Sequence, residues 1–172
     1  LPIVLGMSIM LYVGCMDDIM GLSPKARFLI EILVILGLIY SSGISVDSLH
    51  GLWGIDEIPS VVAVPLTIFA GVGIINAINM VDGVNGLSSG LCITCSMLFG
   101  LQFFCIGDYV NAVLAFSIAS SLFLFFIHNV FGNQSRMFIG DAGTMVMGVL
   151  MTWFVMCSMH DAGRGMILDY AY

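Results

Sequence analysis

Four aspartates stand at the ends of apolar stretches in this chain. They are the adjacent Asp17 and Asp18, Asp82 within Asn79-Met80-Val81-Asp82-Gly83-Val84-Asn85-Gly86, and Asp141 within Gly140-Asp141-Ala142-Gly143. Carboxylates are costly near hydrocarbon and tend to mark sites there. Alternation of the intervening stretches across a bilayer gathers all four on one face, which points to enzyme chemistry on a charged, membrane-tethered substrate. Adjacent like charges such as Asp17 and Asp18 help one group accept a proton or hold a cation, although an ordinary acidic loop pair has the same sequence. Asn76, Asn79, Asp82 and Asn85 recur every three residues, a spacing that keeps amides and a carboxylate on nearby faces at one helix end, suited to reading a nucleotide or sugar or to capping the helix. Asp141 precedes an apolar helix, where it is either an N-cap or a ligand for Mg²⁺, which takes one or two carboxylates plus waters and phosphates. Arg136, close by, offers a fork for phosphate or pyrophosphate.

Composition sets the class in which these residues act. The chain is 60% hydrophobic and only 9% charged, with a net charge of −7. Its cations are Lys25, Arg27, Arg136 and Arg164, too few and too scattered for a nucleic-acid surface. A membrane-crossing helix needs about 20 largely apolar residues. Stretches near 1–16, 26–42, 59–79, 87–106, 110–130 and 142–160 meet that demand if the first is truncated. Backbone amides in lipid must be satisfied internally, so the expected fold is an all-α, polytopic transmembrane bundle of about six helices, read as one domain over 1–172.

Loops 17–25, 80–86 and 131–141 then share one side and hold or border Lys25, Arg27 and Arg136. The opposite side has only Arg164, so the first side is expected to be cytoplasmic. Lys25 and Arg27 can snorkel to headgroups or bind a lipid phosphate, and Glu31, one turn inside the second helix, is expected to pair with one of them. His128 and Asn129 end the fifth helix on the same side. Loop 43–58 is expected to form a small hairpin or interfacial turn with Trp53 at headgroup level. The five cysteines, in or beside apolar runs, are expected to be packing residues. Carboxylates in a helical bundle also suit an ion-coupled transporter, but such groups belong near the midplane, where only Glu31 lies.

Taken together, Asp17-Asp18 with Ser23-Pro24-Lys25-Ala26-Arg27, Asn76-Ala77-Ile78-Asn79-Met80-Val81-Asp82-Gly83-Val84-Asn85-Gly86-Leu87 and Phe138-Ile139-Gly140-Asp141-Ala142-Gly143-Thr144 resemble the polyprenyl-phosphate N-acetylhexosamine-1-phosphate transferases in order, spacing and sidedness. The resemblance covers essentially the whole chain. It implies transfer of a sugar 1-phosphate from a UDP-sugar to a polyprenyl phosphate, with release of UMP, at the cytoplasmic face of the bacterial inner membrane. The implied cofactor is Mg²⁺, with Mn²⁺ as a substitute, and a homodimer is compatible with it. Asp141 is then the metal ligand, and Asp17 and Asp18 engage or deprotonate the lipid phosphate. Asp82 is the third catalytic acid, while Asn79, Lys25, Arg27, Asn129 and Arg136 bind substrate. Asn79-Met80-Val81-Asp82-Gly83 looks closer to the branch that uses UDP-N-acetylglucosamine than to the muramyl-pentapeptide branch of peptidoglycan synthesis. Asn85 stands where a second aspartate is common, and Thr144 where serine is usual. Earlier helices and a later histidine-rich cytoplasmic loop are expected outside this segment, so residues 1–172 alone are expected to be inactive. Turnover by the purified segment would overturn that expectation.

Overall fold

The computed structural model describes residues 2–49, 51, 54, 57–84, 86–132 and 138–165, the last five as helix backbone only. Trp53, Asn85 and Arg136 lie outside the described residues. Among the described residues the chain forms six helices: α1 (Pro2–Met20), α2 (Pro24–Ser42), α3 (Ser60–Val81), α4 (Leu87–Cys105), α5 (Tyr109–Phe131) and α6 (Gly140–Gly165). Each contains one of the expected apolar stretches almost residue for residue. The protein is an integral membrane helix bundle, as the hydrophobic windows predict.

Five of the six helices are long and apolar enough to cross a membrane. The sixth, α2, is as long as α1 but carries Lys25, Arg27 and Glu31 in its first turns. It packs against both α1 and α3 in the same bundle, so two of its charges are buried against neighbours that can partner them. Many large apolar side chains, among them Tyr12, Phe69, Val110 and Leu124, point outward. In water such a surface would aggregate, whereas in lipid it is the ordinary exterior.

The helix ends differ from expectation where the acids lie. Helix α1 continues through Asp17 and Asp18 to Met20 and is closed by a bond from the Gly21 N–H to the Asp17 carbonyl, 2.8 Å. The two acids therefore occupy the last turns of a helix and are not in a loop. Ser23 then caps α2, its hydroxyl accepting from the Ala26 N–H, with Pro24 opening the helix. Helix α6 begins at Gly140, so Asp141 lies inside its first turn and is not its N-cap.

Helix α6 is the centre of the bundle: 61% of its spanning window is buried, against 22–33% for the other four candidate spans. It packs on α1, α3 and α4. Close approach is possible because small residues sit at the crossings. A Cβ on Gly148 would lie 2.6 Å from the Ile75 Cα of α3, and one on Gly14 of α1 would collide with the Ala142 backbone at the start of α6. A third layer, α4 against α5, closes over the other side, with Phe99, Phe103 and Phe154 clustered where α4 meets α6.

At the opposite end, loop 43–58 folds back as expected of a small hairpin, through a single antiparallel bridge between Ser48 and Glu57 and a bond from the Ile58 N–H to the Asp47 carbonyl, 2.8 Å. The Val46 N–H donates to Thr67 Oγ1 on α3, and His160 of α6 lies 3.0 Å from Asp47. No disulfide joins the five cysteines, and Cys92 and Cys157 are buried in the core.

These crossings predict a contrast between two glycines. Gly148→Val forces α6 from α3 and is expected to destabilise by roughly 1–3 kcal/mol or more, whereas Gly73→Ala, which meets nothing within 4 Å, is expected to be neutral or slightly stabilising. Thermal unfolding in detergent compares them directly.

Candidate active site

The C-terminal ends of α1, α3 and α5 and the N-terminal ends of α2, α4 and α6 share one end of the bundle, and the chemistry-bearing side chains collect there in two connected layers. The inner layer centres on Arg27. Its guanidinium donates to three partners on three helices, each at 3.3 Å: Asp17 Oδ2 on α1, Glu31 Oε1 on α2 and Asn76 Oδ1 on α3. Asn76 Nδ2 returns a bond to Glu31 Oε2 at 2.6 Å, and Asp17 Oδ1 accepts from the Leu22 N–H at 2.7 Å. The side chains are 18% (Arg27), 8% (Asp17) and 1% (Glu31) exposed, so this is a largely desolvated ion-pair network. Arg27 thus meets the expected need of Glu31 for a partner.

The outer layer centres on the first turn of α6. Asp82, at the end of α3 and largely buried, accepts from the Ser88 hydroxyl on α4 through Oδ1 and from the Gly140 N–H through Oδ2, at 3.2 Å for the latter. Asp18 accepts from the next two amides, Asp141 N–H at 3.1 Å and Ala142 N–H at 3.2 Å. Asn79 Nδ2 donates to Asp141 Oδ1 and, at 2.9 Å, to Thr144 Oγ1. Among the described residues Asp141 Oδ2 accepts no hydrogen bond.

Segments far apart in sequence therefore bring Asp18, Asp82 and Asp141 to one helix start, with Asp17 and Glu31 one layer away. Five carboxylates thus gather at this end, and Arg27, paired with Asp17 and Glu31, is the one described cation among them. A diphosphate approaching such a cluster would meet net negative charge, which a bound cation would offset. No group of three or more His, Cys, Asp or Glu among the described residues is placed to cage a metal. The free oxygen of Asp141 fits the less demanding case of Mg²⁺, held by one or two carboxylates with waters and substrate phosphates completing the shell.

Other expected site residues fall differently. Lys25 lies two positions from Arg27, about 200° around α2 at 3.6 residues per turn. It is exposed and lines a shallow apolar hollow with Phe28, Leu29 and Ile32, apart from the acidic cluster. Asn129 is buried at the end of α5, and its Oδ1 has no hydrogen-bond partner among the described residues. The asparagine stripe divides. A three-residue step turns the side chain by about 60°, so Asn76 meets α2 while Asn79 meets α6. Ser88 had no signal in the sequence; it shows only once α4 is placed beside Asp82.

The chain matches the profile of glycosyl transferase family 4 over residues 1–159. It belongs to that family. Relatives within reach include a probable undecaprenyl-phosphate N-acetylglucosaminyl 1-phosphate transferase of Bacillus subtilis, 32% identical over 148 residues, which are 85% of this chain and 40% of the relative. The undecaprenyl-phosphate alpha-N-acetylglucosaminyl 1-phosphate transferases of Escherichia coli K12 and Yersinia pestis are each 27% identical, over 86% of this chain and 41% of their own length. The chain thus spans about two fifths of the length of the curated relatives it matches.

The inner layer predicts a specific pattern of stability. Arg27→Met leaves two buried carboxylates without their cation and is expected to cost roughly 3–5 kcal/mol. Removing the charges of Arg27 and Glu31 together, as Arg27→Met with Glu31→Leu, is expected to recover part of that loss. Unfolding of both variants in detergent, beside the wild type, measures it.

Proposed function

We propose that the protein containing this chain transfers N-acetylglucosamine 1-phosphate from a UDP-sugar to undecaprenyl phosphate at the cytoplasmic face of the bacterial inner membrane, releasing UMP and starting a lipid-linked envelope glycan. Membership of glycosyl transferase family 4 and the named activities of the relatives support the reaction class. The observation that carries the reading is the gathering of Asp18, Asp82 and Asp141 on the first turn of α6, at a bundle end, where a lipid phosphate and a soluble nucleotide can meet. Sidedness rests on the cations, since Lys25 and Arg27 lie at that end.

In this reading Asp141 holds Mg²⁺ through its free oxygen, aided by substrate phosphates. Bound magnesium supplies charge neutralisation on the diphosphate and on the leaving UMP. Asn79 holds the Asp141 carboxylate at the first turn of α6. Asp82 secures the α4 and α6 starts against one another and lines the donor side, and Asn129, with its buried unpaired oxygen, contributes polar contact there. Asp17 and Asp18 border the acceptor side. Arg27, fully engaged, acts through Asp17 and Asn76, which leaves Lys25, on the lipid side of α2, as the described cation free to attract a lipid phosphate.

Neither the muramyl-pentapeptide branch nor ion-coupled transport gains support. The relatives act on N-acetylglucosamine by name, and the one acid well inside a span, Glu31, is neutralised by Arg27.

Membranes carrying the parent protein are expected to move label from UDP-N-acetylglucosamine into the butanol-soluble lipid fraction with Mg²⁺ and to stop in EDTA. Asp141→Asn is expected to lower kcat by about 10²–10³-fold, the scale of losing one electrostatic contact in an active site. Label from another UDP-sugar alone would change the donor. No label from any donor, with folded protein, would overturn the reading.

A further inference from the structure

The pair Asp17 and Asp18 invites a shared role, yet the two side chains meet different partners. Successive residues on a helix point about 100° apart. Asp17 faces Arg27, whereas Asp18 faces α6, where each of its oxygens accepts one of two consecutive amides. Those amides belong to residues that the helix itself leaves without acceptors. A carboxylate at that position also opposes the positive end of the helix dipole.

The neighbours of Asp18 show how closely this contact is set. Gly14, one turn earlier on α1, has no space for a Cβ against Ala142, so the α1 backbone rests on the start of α6. Gly140, at φ +79°, begins α6 in a conformation L side chains rarely adopt, and a Cβ there would lie 3.4 Å from Asp18 Oδ2. Residue 141 is consequently held twice: its backbone N–H by Asp18 and its side-chain Oδ1 by Asn79. Its remaining oxygen is aimed by those two bonds.

We propose that Asp18 is a positioning residue, whose carboxylate clamps the Asp141 and Ala142 amides and so aims the free oxygen of Asp141, and that it does not contact the acceptor phosphate. This departs from the direct engagement of lipid phosphate that the paired acids suggest in sequence. It rests on the transferase reading only for what Asp141 does; the clamp itself does not depend on that reading.

The test uses the full-length parent protein in nanodiscs. Residue-resolved hydrogen exchange without substrate is compared for wild type, Asp18→Asn, which keeps one acceptor oxygen, and Asp18→Ser, a shorter side chain with an N-cap hydroxyl. The Asp141 and Ala142 amides are expected to exchange at least about tenfold faster in both variants, while the α6 interior keeps its protection. Mn²⁺ affinity, read by electron paramagnetic resonance without nucleotide, is expected to fall about 10–100-fold, as for loss of a support behind a metal ligand. In transfer assays kcat falls while KM for undecaprenyl phosphate stays within about threefold. Unchanged exchange at residues 141 and 142 in either folded variant overturns the proposal, and so does a raised KM for the lipid with unchanged Mn²⁺ affinity, which would make Asp18 an acceptor contact. If the wild type transfers nothing or binds no Mn²⁺, the transferase or metal reading fails, and the exchange result alone decides the clamp.

Discussion

The first turn of α6 presents N–H groups that its own helix cannot satisfy. Three consecutive amides, at Gly140, Asp141 and Ala142, are taken by carboxylates that arrive from α1 and from the end of α3. This arrangement fixes where α6 starts, and α6 is the helix on which α1, α3 and α4 pack. Negative charge is thereby concentrated at one bundle end by a structural demand.

Beneath that turn, Arg27 answers a second demand. A buried arginine without partners would be untenable in this environment, and a buried Glu31 likewise. Three bonds to α1, α2 and α3, together with the return bond from Asn76 to Glu31, leave few polar groups of the network unspent. The geometry joins helices that are otherwise mostly apolar in contact, and it gives α2 a reason to lie in the bundle despite its three charges. Replacement by apolar residues could match its stability; what the network adds is a definite rotation of each helix, since guanidinium and carboxylate bonds are directional.

Much of this was legible in the sequence. Apolar windows located all six helices because a spanning segment has a length set by the bilayer, and the spacing of acidic motifs placed them at one end. Glu31 announced its pairing because a lone acid inside a span requires a partner. Other features depend on which face of a helix meets which neighbour. Asp18 and Ala142 are 124 residues apart, and no local pattern shows that one caps the other's helix. Lys25 and Arg27 look equivalent in sequence, but two positions on a helix put them on opposite faces, one toward lipid and one toward acids. The asparagine stripe looked like a single surface, yet its drift of about 60° per step hands Asn76 to α2 and Asn79 to α6.

Asp17 and Asp18 carry this logic furthest. Being adjacent, they cannot share a face, so α1 brings one carboxylate to each layer: Asp17 to the Arg27 network and Asp18 to the start of α6. A rotation of α1 that improved one contact would draw the other away, because both belong to the same rigid turn. The close contact at Gly14 removes the remaining freedom, since α1 cannot roll on α6 without its backbone striking Ala142. The paired acids therefore couple the ion-pair layer to the helix start that holds Asp141. The aim of the Asp141 carboxylate on α6 is in this way tied to charges on α2 that it does not touch.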